Sequence, residues 1–233
     1  MSIMGAELLE AIASAPMFDG LDRAHAEALA AASRAISIPG GQVLFRRGTP
    51  STGFYVVREG RMQLSVSNSE GMVRVLEIIS PGGAFGHGVM FVREPYPVDA
   101  TALADTHLVF VPATAVDAIL DEDPAMARLM LSSISKRLQG KIQDIAMLSL
   151  QSATQRIVAF ILGAIPVDAD SHASVELPAR KQVLASSLGM TPETFSRAMR
   201  TLSDKGLITV EGPVLRIPDI AALDSFARSE SIV

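Results

Sequence analysis

The apolar pattern of this chain changes period once, and that change sets the architecture. Between residues 38 and 112, short segments mix strand-like alternation with β-rich runs, whereas from Pro124 to Ile165 apolar residues return at helical spacing. A pattern that buries one face of a strand cannot bury one face of a helix, so the two regions need separate packing solutions. Strand candidates are Phe54–Val57, Met62–Val66, Val73–Ile79 and a last strand, Thr106–Val111, bracketed by Asp105 and Pro112. Turn formers separate them at Gly40-Gly41, Gly48, Gly53, Gly60, Gly71 and Pro81-Gly82-Gly83. Many short strands at this spacing predict an antiparallel roll or sandwich. Ahead of them, residues 7–14 and 22–35 carry alanine-rich helical spacing, punctuated by Pro16, Asp19 and Gly20.

Within the helical region Ala127, Leu131, Ile134, Leu138, Lys141, Ile145 and Leu148 alternate in steps of four and three. That is the a/d seam of a coiled coil, and it predicts a parallel dimer with Lys141 partly exposed on its long stem. The alternative is a helix packed on its own roll. Ser149, Ser152 and Thr154 predict a break near 149–154, with a further helix over Thr154–Leu162.

The strongest local signal lies in Lys181–Leu202. Leu184, Ala185 and Leu188 share one helical face, Gly189 supplies a turn, and Phe195, Ala198, Met199 and Leu202 form the apolar face of a second helix. Thr191 is a good N-cap and Pro192 a good first helical residue, because proline lacks only a donor that would be orphaned there. Glu193, Ser196, Arg197 and Arg200 then share the opposite face. Arg197 can give two hydrogen bonds to guanine, Glu193 can accept from cytosine, and Ser196 can meet a base edge or a thymine methyl. Thr191, Arg180, Lys181, Thr194 and Arg200 are candidates for the phosphate backbone. From Arg180 to Lys205 the net charge is +3, on a chain that is −5 overall. Leu207–Val210 and Val214–Ile217, turned at Glu211-Gly212-Pro213, make the hairpin of a wing. A helical packing module with solvated basic residues is the plain alternative.

The other bounds are exclusions. A length of 233 residues divides most simply into two domains, and 48% apolar residues suffice for packed cores. The absence of cysteine removes disulfides, thiol catalysis and cysteine-held iron–sulfur or zinc sites. Without a long apolar run or a basic leader, a cytoplasmic protein with no membrane partner is expected. There is no nucleophile elbow, no phosphate-binding loop with lysine and no clustered catalytic set, so an enzyme is not expected. Asp121, Glu122 and Asp123 read as a solvated turn and the acidic start of the long helix. His25, His107 and His172 show no metal-ligand spacing.

These segments together resemble the family of the cyclic-AMP receptor protein and the fumarate and nitrate reduction regulator (CRP/FNR), essentially end to end. The resemblance rests on the glycine-punctuated roll, on the helix with Ile142–Leu150, and on Leu177–Ile208. Residues 148–157, with Pro192–Arg197, are similar to the nitric-oxide-responsive dissimilatory nitrate respiration branch. The resemblance implies an α+β chain. Residues 1–123 would be a cyclic-nucleotide-binding-like β-roll with N-terminal helices, 124–150 a dimerisation helix and 151–233 a winged helix-turn-helix. It also implies a homodimer on double-stranded DNA, with Glu193, Ser196 and Arg197 reading a TTGAT-like palindrome. RNA polymerase is a further partner if the chain activates transcription. A protein-interaction dimer with a degenerate roll is the alternative.

The same resemblance speaks to the signal. Cyclic-AMP binders of the family use a glycine-glutamate pair for the ribose and an arginine with a hydroxyl residue for the phosphate. Gly88 stands here at the glutamate position, and Val98 and Asp99 stand where the arginine and hydroxyl belong, so cyclic AMP is not expected. Haem remains an expectation, with His87 its candidate axial ligand and Met90, Phe91 and Val98 the walls of an effector pocket. Against it, His87 reads more simply as an ordinary turn residue, and Ala15 and Pro16 stand where the nitric-oxide branch can carry histidines.

Overall fold

The computed structural model describes residues 3–18, 20–68, 72–150, 152–166, 169 and 171–229; the side chains of 3, 4, 124, 137, 141, 143–150, 228 and 229 lie outside that description. The chain forms two compact units, Met1–Gly140 and Lys141–Val233.

The first unit opens with helices α1 (Ile3–Ala13) and α2 (Arg23–Ala32), the latter capped by Asp22, whose carboxylate accepts the His25 backbone N–H at 2.9 Å. The roll follows as β1 (Arg34–Ile38), β2 (Val43–Phe45), β3 (Gly53–Glu59), β4 (Met62–Ser67), β5 (Val73–Ile79) and β6 (Ala84–Phe85). After a short helix α3 (His87–Val92) come β7 (Asp99–Ala102) and β8 (Thr106–Pro112). The strands make two four-stranded antiparallel sheets, ordered β1-β8-β3-β6 and β2-β7-β4-β5. Helix α2 ends sooner than the alanine spacing predicts. Arg34 already pairs with Phe110 across β1 and β8, and its guanidinium lies 4.3 Å above that ring.

Two cores result. One lies beneath the N-terminal helices and holds Ile12, Phe18, Leu29, Phe54 and Val111, with the methionines Met17, Met90, Met126 and Met130. The other fills the interior of the roll. There Phe45 stacks on Tyr96 with ring centroids 3.8 Å apart, Tyr55 stacks on Phe85 at 5.2 Å, and the Tyr96 hydroxyl donates to the Gly53 carbonyl at 2.8 Å. Turn geometry is exacting at Gly60, where φ is +80° and a Cβ would collide with the Asp105 carbonyl oxygen.

Helices α4 (Ala113–Glu122) and α5 (Pro124–Leu150) close the roll. Asp121 and Glu122 therefore end α4 instead of opening the long helix; only Asp123 caps α5, accepting the Ala125 N–H at 2.8 Å. One side of α5 buries Met126 and Met130 in the N-terminal core. Another side leaves Leu131, Leu138 and Ile142 exposed at 63%, 60% and 57%, while Ala127 and Ile134 are half-buried. Spacings of seven and four put those three exposed residues within about 40° of one another around the helix. Ile142, absent from the expected seam, thus lies in line with it. The expected seam side chains of Lys141, Ile145 and Leu148 lie outside the described residues.

In the second unit α6 (Ala153–Gly163) starts with a capping box. Ser152 Oγ accepts the Gln155 N–H at 3.2 Å, and Gln155 Oε1 accepts the Ser152 N–H at 2.7 Å. Then follow β9 (Ala173–Glu176), α7 (Lys181–Ser187), α8 (Pro192–Asp204), β10 (Thr209–Glu211), β11 (Val214–Ile217) and α9 (Ile220–Ser229). The wing is a three-stranded antiparallel sheet, β10-β11-β9, with Gly212 at φ +61° in its hairpin turn. No described helix is long and apolar enough to cross a membrane.

Candidate nucleic-acid interface

Helices α7 and α8 are joined by a turn in which Gly189 takes φ +64° and the Met190 N–H donates to the Ala185 carbonyl at 2.9 Å. Ala185 is fully buried, which lets the helices approach closely. Thr191 caps α8 through its hydroxyl, accepting the Thr194 N–H at 3.2 Å, and Pro192 is the first helical residue. The next turns sort cleanly by face. Phe195, Ala198, Met199 and Leu202 are buried, whereas Glu193, Ser196, Arg197 and Arg200 are exposed together on the outer side.

Arg180 stands at the cap of α7 and Lys181 begins it, and both are exposed. Thr194 is half-buried, and its hydroxyl lies 3.0 Å from that of Thr191, so an intrahelical partner already occupies it. Lys205, one source of the local positive charge, lies 5.2 Å over the Phe226 ring at the far end of α8. The wing carries a pair that sequence reading missed. Arg216, which pairs with Thr209 across β10 and β11, reaches diagonally to Glu211, with Nη2 2.8 Å from Oε2. Their offset across a two-residue turn is the signal that could have revealed it.

The four residues expected around an effector lie in different environments. His87 is the first residue of α3, 8% exposed, with its ring edge-on to Phe54 at 6.5 Å. Met90 packs into the N-terminal core, Val98 against the roll interior, and Phe91 faces solvent at 37% exposure. His87 is not the turn residue of the plain reading; it is packed. Asp99, at the expected phosphate position, is engaged by protein, its carboxylate accepting the Arg47 N–H at 2.7 Å. Burial raises the Tyr55 hydroxyl well above the usual tyrosine range, and burial raises that of Tyr96 as well.

Comparison with known proteins agrees with this division. Residues 35–123 match the cyclic nucleotide-binding domain, and residues 155–226 match the Crp-like helix-turn-helix domain. The chain is similar to the transcriptional activator protein anr of Pseudomonas aeruginosa, 26% identical and covering 82% of this chain and 79% of that one. It is 30% identical to DNR of the same organism, whose crystal structure superposes with a TM-score of 0.53 over 93% of this chain and 96% of that one. A transcriptional regulator of the CRP/FNR family from Thermus thermophilus shares the fold, with a TM-score of 0.65 at 22% identity over 84% of this chain and 98% of that one. With a roll, a long helix and a winged helix-turn-helix in that order, the chain belongs to the CRP/FNR family of transcriptional regulators, and its role is regulatory, not enzymatic.

Proposed function

We propose that this chain is a homodimeric regulator that reads a TTGAT-like palindrome and answers a small effector other than cyclic AMP. The observation that carries this reading is the exposed triplet Glu193, Ser196 and Arg197 on one face of α8, behind a capped N-terminus. Arg197 gives bidentate hydrogen bonds to guanine, Glu193 accepts from cytosine N4, and Ser196 sits against the neighbouring base. Arg180, Lys181, Thr191 and Arg200 hold the phosphate backbone, with Thr194 acting through the Thr191 cap.

Residues 1–123 act as the sensor, 124–150 as the dimerisation helix and 151–233 as the DNA reader. The exposed apolar stripe of α5, extended by Ile145 and Leu148, supplies the seam between two copies. Two heads so joined address half-sites about one DNA turn apart. The 30% identity to DNR supports placing the chain in the nitric-oxide-responsive branch. The loss of the cyclic-phosphate arginine, and an interior filled by Phe45, Tyr55, Phe85 and Tyr96, support a signal other than cyclic AMP. The protein acts in the cytoplasm, with RNA polymerase as partner when it activates.

A gel-shift titration at physiological salt tests the reading. Retarded TTGAT palindrome with unretarded scrambled duplex is the expected result; equal affinity for both supports a protein-interaction dimer instead.

A further inference from the structure

Asp22 and Asp123 are about a hundred residues apart in the chain, yet both carboxylates face one imidazole. His25 Nδ1 lies 2.6 Å from Asp22 Oδ2 and 3.9 Å from Asp123 Oδ2, and the three atoms all fall within 4.8 Å of one another. The remaining carboxylate oxygens are committed. Asp22 Oδ1 accepts the His25 backbone N–H at 2.9 Å, and Asp123 Oδ1 accepts the Ala125 N–H at 2.8 Å. Those two bonds hold each carboxylate in place and leave both Oδ2 atoms turned toward the ring.

Among the described residues no lysine or arginine forms an ion pair with either aspartate. A neutral imidazole protonated on Nδ1 can donate to only one of the two oxygens; protonated on Nε2, it adds a third lone pair to theirs. A cation at their centre satisfies all three. In a tetrahedral site with bonds of about 2.0–2.2 Å, ligand atoms stand about 3.3–3.6 Å apart. His25 and Asp22 now stand at the 2.6 Å of a direct bond and His25 and Asp123 at 3.9 Å, so an entering ion would spread the first pair and draw in the second.

We propose that Asp22, His25 and Asp123 bind one divalent first-row cation of the zinc type, clamping the start of α2 to the α4–α5 junction. One imidazole with two carboxylates suits Zn²⁺, Co²⁺ or Ni²⁺. Ca²⁺ asks for six to eight oxygens, and Mg²⁺ for near-octahedral oxygen and water. The His25 side chain is 21% exposed and that of Asp123 36%, which leaves the centre open to ion entry and to a water as fourth ligand. The clamp fixes Asp123 immediately before Pro124, the first residue of the helix that carries the apolar stripe.

The test uses the full, tag-free chain stripped with a chelator. Zn²⁺ binding is followed by calorimetry and Co²⁺ by visible absorption; with no cysteine, every ligand is nitrogen or oxygen. Expected are one equivalent bound, a Zn²⁺-dependent rise in melting temperature, and at least a tenfold loss of affinity in both His25→Ala and Asp123→Asn. His107→Ala and His172→Ala should leave the titration unchanged. Circular dichroism of each metal-free variant verifies folding, and either ligand variant alone suffices if the other is unstable. No binding at tenfold excess Zn²⁺, or binding unaltered in the folded ligand variant, overturns the site. Since no DNA is present, that outcome is independent of the palindrome assay.

Discussion

Replacing Arg197 with alanine separates base reading from simple charge. The side chain is exposed, and the bond from the Thr201 hydroxyl to the Arg197 carbonyl at 3.1 Å involves only its backbone, so it survives the change. Stability should therefore move by less than about 0.5 kcal/mol, as at other surface positions. DNA binding should move much more. One bidentate pair with guanine discriminates by about 1–3 kcal/mol, and a two-fold complex makes it twice, so about 2–6 kcal/mol is lost on the palindrome. At about 1.4 kcal/mol per tenfold, that is roughly 30-fold to 10⁴-fold in Kd. Fluorescence anisotropy with the palindrome, with half-sites altered at the guanine, and with scrambled duplex reads all three cases. The variant should stop distinguishing the guanine substitution while its affinity for scrambled DNA falls far less. An equal loss on every duplex, with a shallower salt dependence by about one ion per head, would make Arg197 a phosphate contact and refute the argument.

Leu138→Glu places a carboxylate in the middle of the exposed α5 stripe, so the dimer should dissociate in sedimentation analysis while the far-ultraviolet spectrum is retained; a stable dimer would move the seam elsewhere. The chain has two tyrosines and no tryptophan, and both tyrosines sit in the roll. Because burial raises both hydroxyls in the folded state, the stability they confer is complete below the unfolded value of about 10 and declines as pH rises above it. Tyrosinate absorption should accordingly appear together with unfolding, and ionisation near pH 10 in a still-folded protein would contradict their burial. Arg93 occupies the left-handed region at φ +56° with an exposed side chain, so Arg93→Gly should raise the urea midpoint by the equivalent of about 0.5–1 kcal/mol; an unchanged or lower midpoint would mean the Asp117 contact outweighs the strain.

Helix α8 was legible because its determinants are local. Thr191-Pro192 sets its start, Gly189 sets the turn, and the spacing of Phe195, Ala198, Met199 and Leu202 sets its buried face. Four strands of the roll, β3, β4, β5 and β8, were visible between their turn formers for the same reason, whereas β1 began inside the expected helix and β6 and β7 were too short to show a pattern. Helix α3 was not visible: six residues including Gly88 have no helical signal of their own, and the burial of His87 and Met90 holds them. That short helix also sends neighbours Met90 and Phe91 to opposite environments, one buried and one exposed. Strand β9 escaped notice because Val175 is its only buried residue and its partner, β11, lies about forty residues on. The Asp22–His25–Asp123 cluster has no local signature at all, because tertiary packing alone brings the end of α4 beside the start of α2.

The core under the N-terminal helices uses four of the chain's eleven methionines, and two of them, Met126 and Met130, seat the long helix. Unbranched thioether chains can exchange rotamers and stay in contact as their neighbours move, where isoleucine or valine would open a void. A seat of this kind works as a compliant bearing. Turning α5 about its own axis would cost little packing, and every degree of that turn would re-aim the line through Leu131, Leu138 and Ile142. Replacing the bearing methionines with branched residues would then stiffen the rotor without touching the surface it presents.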